Sequence, residues 1–341
     1  MTLRDGLYDL LVTESLTRSL SLLDAGDALV HDLGGGAADY LTDALTRQLG
    51  ALLEEMPGEA AEKAQRQIAL VNGVLRMLRE RLRSEAEDAR PPRPAKAIDL
   101  VAAPLQVLRA VRRGRPFAIP PDLGLTAPWL FTAGKGSPSL LLEIRRELAS
   151  SDSVDILVSF ITMSGVRKLQ DVLNLITAAG AQVDTADLQR PRLRILTTTY
   201  TGATEARALD ELASLPGCEV RVSLDGRRTR LHAKAWLFHR RTGFGSAYVG
   251  SANLSGAALT GGLEWTVKLT QRGQSDLFAR AEAHFETLWA DGEFQHYDPS
   301  NPGHRRALAD ALGREAESDA GHAALHRLGA AVELLEDRGL I

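Results

Sequence analysis

Residues 231–265 hold the pattern that most narrows what this chain can fold into. Leu231 to Phe238 reads Leu-His-Ala-Lys-Ala-Trp-Leu-Phe, an apolar and aromatic run of strand length carrying two basic residues two positions apart. Side chains two apart on a strand point the same way, so His232 and Lys234 are expected on one face, with Leu231, Ala233 and Ala235 on the other. Ser246 to Val249 reads as a second short strand, stopped by Gly250 and followed by Ser251-Ala252-Asn253 before a helical turn at Ser255–Leu259. Strand, glycine, short polar residues and helix start together aim backbone N–H groups and small donors at an anion. Glu264, expected on a further strand at Leu263–Leu269, offers a carboxylate able to hold the His232 imidazole in one tautomer. An imidazole to attack or carry a proton, beside an ammonium to hold negative charge, is equipment for a phosphoryl group.

His-x-Lys followed by Gly-Ser-x-Asn resembles the phospholipase D superfamily, the HKD phosphodiesterases. The resemblance implies that His232 is a nucleophile forming a phosphohistidine, that Lys234 and Asn253 bind the phosphate, and that Ser251 assists. It implies no metal and no other cofactor. The sequence departs from the family pattern at one position, where His239 stands five residues after the lysine in place of an aspartate. A missing aspartate with a later glutamate looks like the single-motif endonucleases of the superfamily, and Glu264 stands where that glutamate would be. The stretches Ser153–Gly165, Thr197–Leu209 and Thr229–Trp265 also resemble the nuclease-like region at the N-terminus of bacterial superfamily-2 helicases.

Arginines crowd the same region: Arg190, Arg192, Arg194, Arg221, Arg227, Arg228, Arg230, Arg240 and Arg241, with few acids between them. Guanidinium forks suit phosphate oxygens, which makes Arg228, Arg230 and Arg240 candidate substrate contacts. The bland alternative is a set of solvated arginines at strand ends. Phe244 and Tyr248 have the rings to stack on bases, although core packing is the simpler reading. The whole chain gives no help here, because its net charge is −4 and any nucleic-acid site must be a local patch.

The remaining sequence sets limits. At 341 residues, 44% hydrophobic and 25% charged, the chain has material for two domains. Cys218 is the only cysteine, which excludes an internal disulfide and a multi-cysteine zinc site and fits a reducing cytoplasm. No signal-like N-terminus and no 18-residue apolar run is found, so no membrane partner is expected. Gly134-Lys135-Gly136-Ser137 is not a nucleotide loop, since Trp129 stands where that loop requires glycine, and no ATPase is expected.

Residues 1–87 read as a helical module. Its helices carry Leu7 to Leu23, then Tyr40 to Met56, then a regular seam at Ala61, Ala64, Ile68, Val71, Leu75, Leu78 and Leu82. That seam packs either within a local bundle or against a partner. Arg76, Arg79, Arg81 and Arg83 flank it as a solvated face or a phosphate track. Residues 88–138 read as a Pro/Gly-rich connector with a short helix over Leu100–Val111. Residues 139–299 alternate strands with helices, which points to an α/β domain with its sheet covered on both faces; the resemblance implies that this is a phospholipase D-like mixed sheet sandwiched by helices. Residues 300–341 read as a helical tail, with helices at Leu308–Leu312 and Ala323–Leu335.

One His-x-Lys is present where the family chemistry needs both a nucleophile and an acid. A homodimer is therefore expected, with two His232 side chains facing each other across a two-fold axis. The expected activity is a metal-independent nuclease acting on single- or double-stranded DNA in the cytoplasm. It would act in DNA processing or foreign-DNA defence, beside a separate helicase or ATPase subunit. The competing readings are a catalytically silent nucleic-acid or helicase-binding module of the same fold, and a soluble lipid phosphodiesterase.

Overall fold

The computed structural model describes residues 11–24, 27–28, 30, 37–88, 99–104, 106, 109, 119–132, 137–178, 191–200, 202–225, 231–261 and 264–314. The chain divides into two compact units, Met1–Arg113 and Gly114–Ile341.

The first unit is helical. α1 (Glu14–Leu20) starts at Thr13, whose hydroxyl accepts from the Leu16 N–H. α2 (Ala37–Glu55) and α3 (Ala60–Asp88) form a hairpin around Pro57-Gly58. The last carbonyls of a helix lack partners within it, and here α3 supplies them. Lys63 donates to the Glu54 carbonyl at 2.6 Å, Gln67 to that of Leu53 at 2.8 Å, and Arg66 to that of Pro57 at 3.3 Å. Farther along α3, buried Asn72 donates to the Val101 carbonyl and accepts from the Val101 N–H. This exchange ties the segment after residue 98 back to the helix. The described residues of 100–111 are extended or bent, so the helix expected at Leu100–Val111 is absent from them. Ile68, Val71 and Leu75 of the α3 seam are half-buried, whereas Leu41, Leu45 and Leu52 of α2 are more than half exposed.

The second unit is built on one eight-stranded mixed sheet in the order β1-β7-β6-β5-β2-β3-β4-β8. The strands are β1 (Trp129–Phe131), β2 (Ser153–Leu157), β3 (Leu193–Thr198), β4 (Cys218–Ser223), β5 (Lys234–His239), β6 (Ser246–Gly250), β7 (Thr266–Thr270) and β8 (Phe294–Tyr297). β2, β3 and β4 are parallel and joined through α5 (Met163–Ala178) and α6 (Ala206–Ala213); the other pairings are antiparallel. One face packs on α4 (Leu140–Ser150), α5, α6 and α7 (Gly256–Thr260) around Ile144, Leu169, Leu173, Leu209, Trp236, Phe238 and Leu259. The opposite face packs on α8 (Ser275–Ala290) through Phe278 and Phe285 against Leu157, Leu196 and Leu237. Burial on both faces is why β2 and β3 read as unbroken apolar runs. The helix-sandwiched mixed sheet expected from the sequence is the fold observed. The edge strands β1 and β8 were not expected; three or four residues carry little pattern, and sheet pairing alone makes them strands. Residues 302–314 are helical, while the tail helix expected at Ala323–Leu335 lies outside the described residues. None of the described helices is long and apolar enough to cross a membrane.

Two buried charge networks hold the layers in register. Lys268 of β7 is fully buried and donates to Glu143 of α4 at 2.9 Å and to the Gly124 carbonyl at 2.8 Å, with Glu147 at 3.1 Å. Glu147, also fully buried, accepts from Tyr248 and Arg240 as well. In the second network Arg194 of β3 grips Asp155 of β2 with two bonds of 2.7 Å and reaches Glu286 of α8. His239 Nε2 lies 2.8 Å from the same Asp155 carboxylate.

Removing one member of such a network leaves buried charge uncompensated, at a typical cost of ~3–5 kcal/mol. Lys268→Met should lower the urea-unfolding free energy by about that amount. Burial pushes the Asp155 carboxyl up, but hydrogen bonds from His239 and Arg194 outweigh it and leave it below the usual carboxylate range. A folded pKa below the unfolded value of ~3.9 means that Asp155 stabilises fully above that pH and progressively less as pH falls through the folded value. The stability gap between wild type and Asp155→Asn should therefore be constant from neutral pH down to about 4.5 and narrow below it.

Candidate active site

The site forms where the central ladder ends. Lys234 is the first residue of β5 and pairs with Gly250, the last residue of β6, which pairs in turn with Thr266, the first of β7. On the other side, β2 pairs with β5 only as far as Leu157↔Ala235. Beyond this level the chain has no strand to bond with. The strand expected over Leu231–His239 therefore begins at Lys234, and His232 stands exposed in the lead-in ahead of it. The expectation of Glu264 within a strand is corrected in the same way, because β7 starts two residues later.

The two basic side chains still meet. Lys234 is buried, and its Nζ lies 3.1 Å from His232 Nδ1 and donates to the His232 carbonyl at 2.6 Å. An ammonium facing Nδ1 calls for a lone pair there, which places the proton of a neutral ring on Nε2. Burial pulls the Lys234 pKa below that of an ordinary lysine, and the negative charge of Glu264 acts against that fall. Glu264 is thus coupled to the ammonium. Among the described contacts it makes no hydrogen bond to His232, the partner expected from the sequence.

Asn253 is brought to the same end of the sheet by two loops joined together. Ile161, after β2, bridges to Leu254, after β6, and the Thr162 N–H donates to the Leu254 carbonyl. The buried Asn253 accepts through Oδ1 from the N–H groups of Ser159 and Phe160 at 3.0 and 3.2 Å. Those bonds fix the amide's orientation and engage its acceptor end, so the NH2 is the end available to an anion. Ser251 does different work. Its Oγ accepts from the Trp265 N–H at 3.0 Å, and its own N–H donates to the Trp265 carbonyl at 3.0 Å. The serine clamps the chain beside Glu264. Gly250 is required by close approach, since a Cβ there would lie 2.1 Å from the Trp265 oxygen.

Among the arginines expected at the substrate, Arg240 is engaged elsewhere. Arg240 follows the far end of β5, six residues or ~20 Å of strand from Lys234. There it is bound to Glu147 at 2.6 Å and to main-chain carbonyls of Ser150 and Phe244, so its role is structural. Arg194 belongs to the buried network described above, and Arg221 to Glu219 and the Trp289 carbonyl. Arg228 and Arg230, with Arg190 and Arg227, lie outside the described residues. Tyr248 is a core residue bonded to Glu147, and the Phe244 ring lies under Arg272. His239, where the family pattern has aspartate, sits ~17 Å of strand from Lys234 in the Asp155 network, so this departure leaves the site itself untouched.

Two hydroxyls near the site had no sequence signal. Ser159 and Thr266 are buried without a hydrogen-bond partner among the described residues. Thr266 lines a small cavity with Lys234, Gly250 and Ala252. Only the register of three strands places it there. Among the described residues no group of three or more His, Cys, Asp or Glu side chains gathers as a metal ion would need.

Residues 144–289 match the family model described as "Cardiolipin synthase, PLD-like domain". No curated protein matches the chain. Solved structures similar to it include NucT from Helicobacter pylori, at 15% identity and a TM-score of 0.37, covering 48% of this chain and 95% of that one. Nuc from Salmonella typhimurium, a phospholipase D family member, is similar at 17% identity and a TM-score of 0.36, covering 50% and 97%. Phosphatidylserine synthase from Haemophilus influenzae is similar at 14% identity and a TM-score of 0.35, covering 57% and 46%. The segment carrying His232, Lys234, Asn253 and Glu264 is a phospholipase D-like domain.

Proposed function

We propose that this domain is a nuclease that cleaves DNA through a phosphohistidine on His232. The observation that carries the reading is the convergence, at one open end of the sheet, of an exposed imidazole, a buried ammonium 3.1 Å from it, and an oriented asparagine amide. These groups match the needs of an in-line displacement at phosphorus. The arriving phosphate draws Lys234 off Nδ1 and onto its non-bridging oxygens, joined by the Asn253 amide. Once released, the His232 ring takes the tautomer that leaves a nitrogen lone pair toward phosphorus, with Glu264 as the nearby carboxylate to accept the other ring N–H. The lone pair forms the P–N bond as the P–O bond to the leaving strand breaks. The leaving oxygen takes a proton from an acid. Water then attacks phosphorus, gives its proton to the same group, and breaks the P–N bond.

The acid we assign is His232 of a second copy, because the domain supplies one His-x-Lys. A homodimer with the site at its two-fold axis supplies both roles. The sequence likeness to helicase-linked nuclease regions supports work beside a helicase subunit, in DNA processing or foreign-DNA defence. The second reading, a silent clamp of the same fold, draws on the resting contact of Lys234 with Nδ1 and on the lack, among the described residues, of a carboxylate bonded to His232.

Incubation of plasmid and single-stranded DNA in EDTA separates the two. The nuclease reading expects cleavage by wild type and a loss of at least 10³-fold in rate for His232→Ala with DNA binding retained; absence of cleavage by both proteins supports the clamp. The alkaline limb of kcat/KM should fall below the ~10.4 of an ordinary lysine, because Lys234 must keep its proton to hold the phosphate. Glu264→Gln removes the charge that supports that proton, so it should move the limb to lower pH. A limb unmoved by this substitution would show that Glu264 does not act on Lys234.

A further inference from the structure

Trp265 is 66% exposed, although tryptophan is normally buried over most of its surface. Its main chain is held on both sides by Ser251, and its indole makes no hydrogen bond or ring contact among the described residues. It stands between Glu264, whose charge acts on Lys234, and Thr266, which pairs through Gly250 with Lys234. Two strand spacings place its backbone ~10 Å from that of Lys234, within a nucleotide's reach of a bound phosphate. Across the site, Phe160 follows β2 with its N–H fixed on Asn253. An exposed aromatic ring whose main chain is fixed at the phosphate-site end of the sheet offers a stacking face to a base. A base offers such a face only where it is unpaired, since duplex bases cover each other.

We propose that Trp265 is a stacking platform for a base next to the phosphodiester at His232, and that the substrate is single-stranded DNA. This rests on the nuclease reading, yet its test is a binding measurement and does not depend on turnover. The probes are a 20-residue oligothymidylate, an abasic oligonucleotide of the same length, and phosphatidylglycerol vesicles, all offered to full-length protein carrying His232→Ala.

Adding Trp265→Ala should weaken oligothymidylate binding by about tenfold and leave the abasic strand unchanged. Trp265→Phe should keep most of the affinity and lose the quenching of indole fluorescence that oligothymidylate causes in the parent. Equal losses on both strands, or no loss on either, overturn the proposal. So does failure of the parent to bind oligothymidylate, or a loss confined to the vesicles, which would mark Trp265 as a lipid contact. Failure of the nuclease reading shows itself separately, as absence of cleavage by wild type.

Discussion

β5 has hydrogen-bonding partners on both sides only as far as Lys234 and Ala235, and the candidate site follows from that limit. Gly250 ends β6 and Thr266 begins β7 at the same level, while β2 stops at Leu157 and turns toward Asn253. A sheet whose central strands end together must leave main-chain groups and side chains facing outward, and ligands collect at such ends in open α/β sheets. Here the unpaired lead-in to β5 presents His232, and the turn after β6 presents Asn253. Lys234, the end rung of the ladder, is buried and sets its ammonium 3.1 Å from His232 Nδ1.

The buried charge networks do a different job from the one the arginine-rich sequence implied. Arg194 and Arg240 are almost wholly enclosed and answer Asp155, Glu286 and Glu147. Enclosed ion pairs add little net stability over an apolar equivalent, but they penalise any arrangement that separates the partners. Glu143 and Glu147 both rise from α4 and reach β7, β6 and the residue after β5, so they hold that helix over the sheet in one register. His239 belongs to this scaffold. The network gives Asp155, from the neighbouring strand, to a position where the family pattern keeps its own carboxylate.

The electrostatics of the pocket are set by contrast. Lys234 is drawn down by desolvation and supported by Glu264. The same ammonium occupies His232 Nδ1. On the proposed reading, one contact thus keeps the nucleophile idle and a substrate phosphate releases it, which joins binding to activation through a single side chain.

By itself the sequence determined the mixed α/β layering and the central strands and helices to within a few residues. It also determined that His232 lies beside Lys234 and that Asn253 follows the end of β6, because period-two alternation and a strand-glycine-turn pattern are local signals. It did not determine where β5 and β7 begin, since a ladder ends where its neighbours end and those neighbours are distant in sequence. The destinations of Arg194 and Arg240, the clamp of Ser251 on Trp265, and the approach of Thr266 to Lys234 were decided by tertiary structure alone. An arginine looks the same in a list whether a phosphate or a buried carboxylate awaits it, and only packing brings the carboxylate within reach.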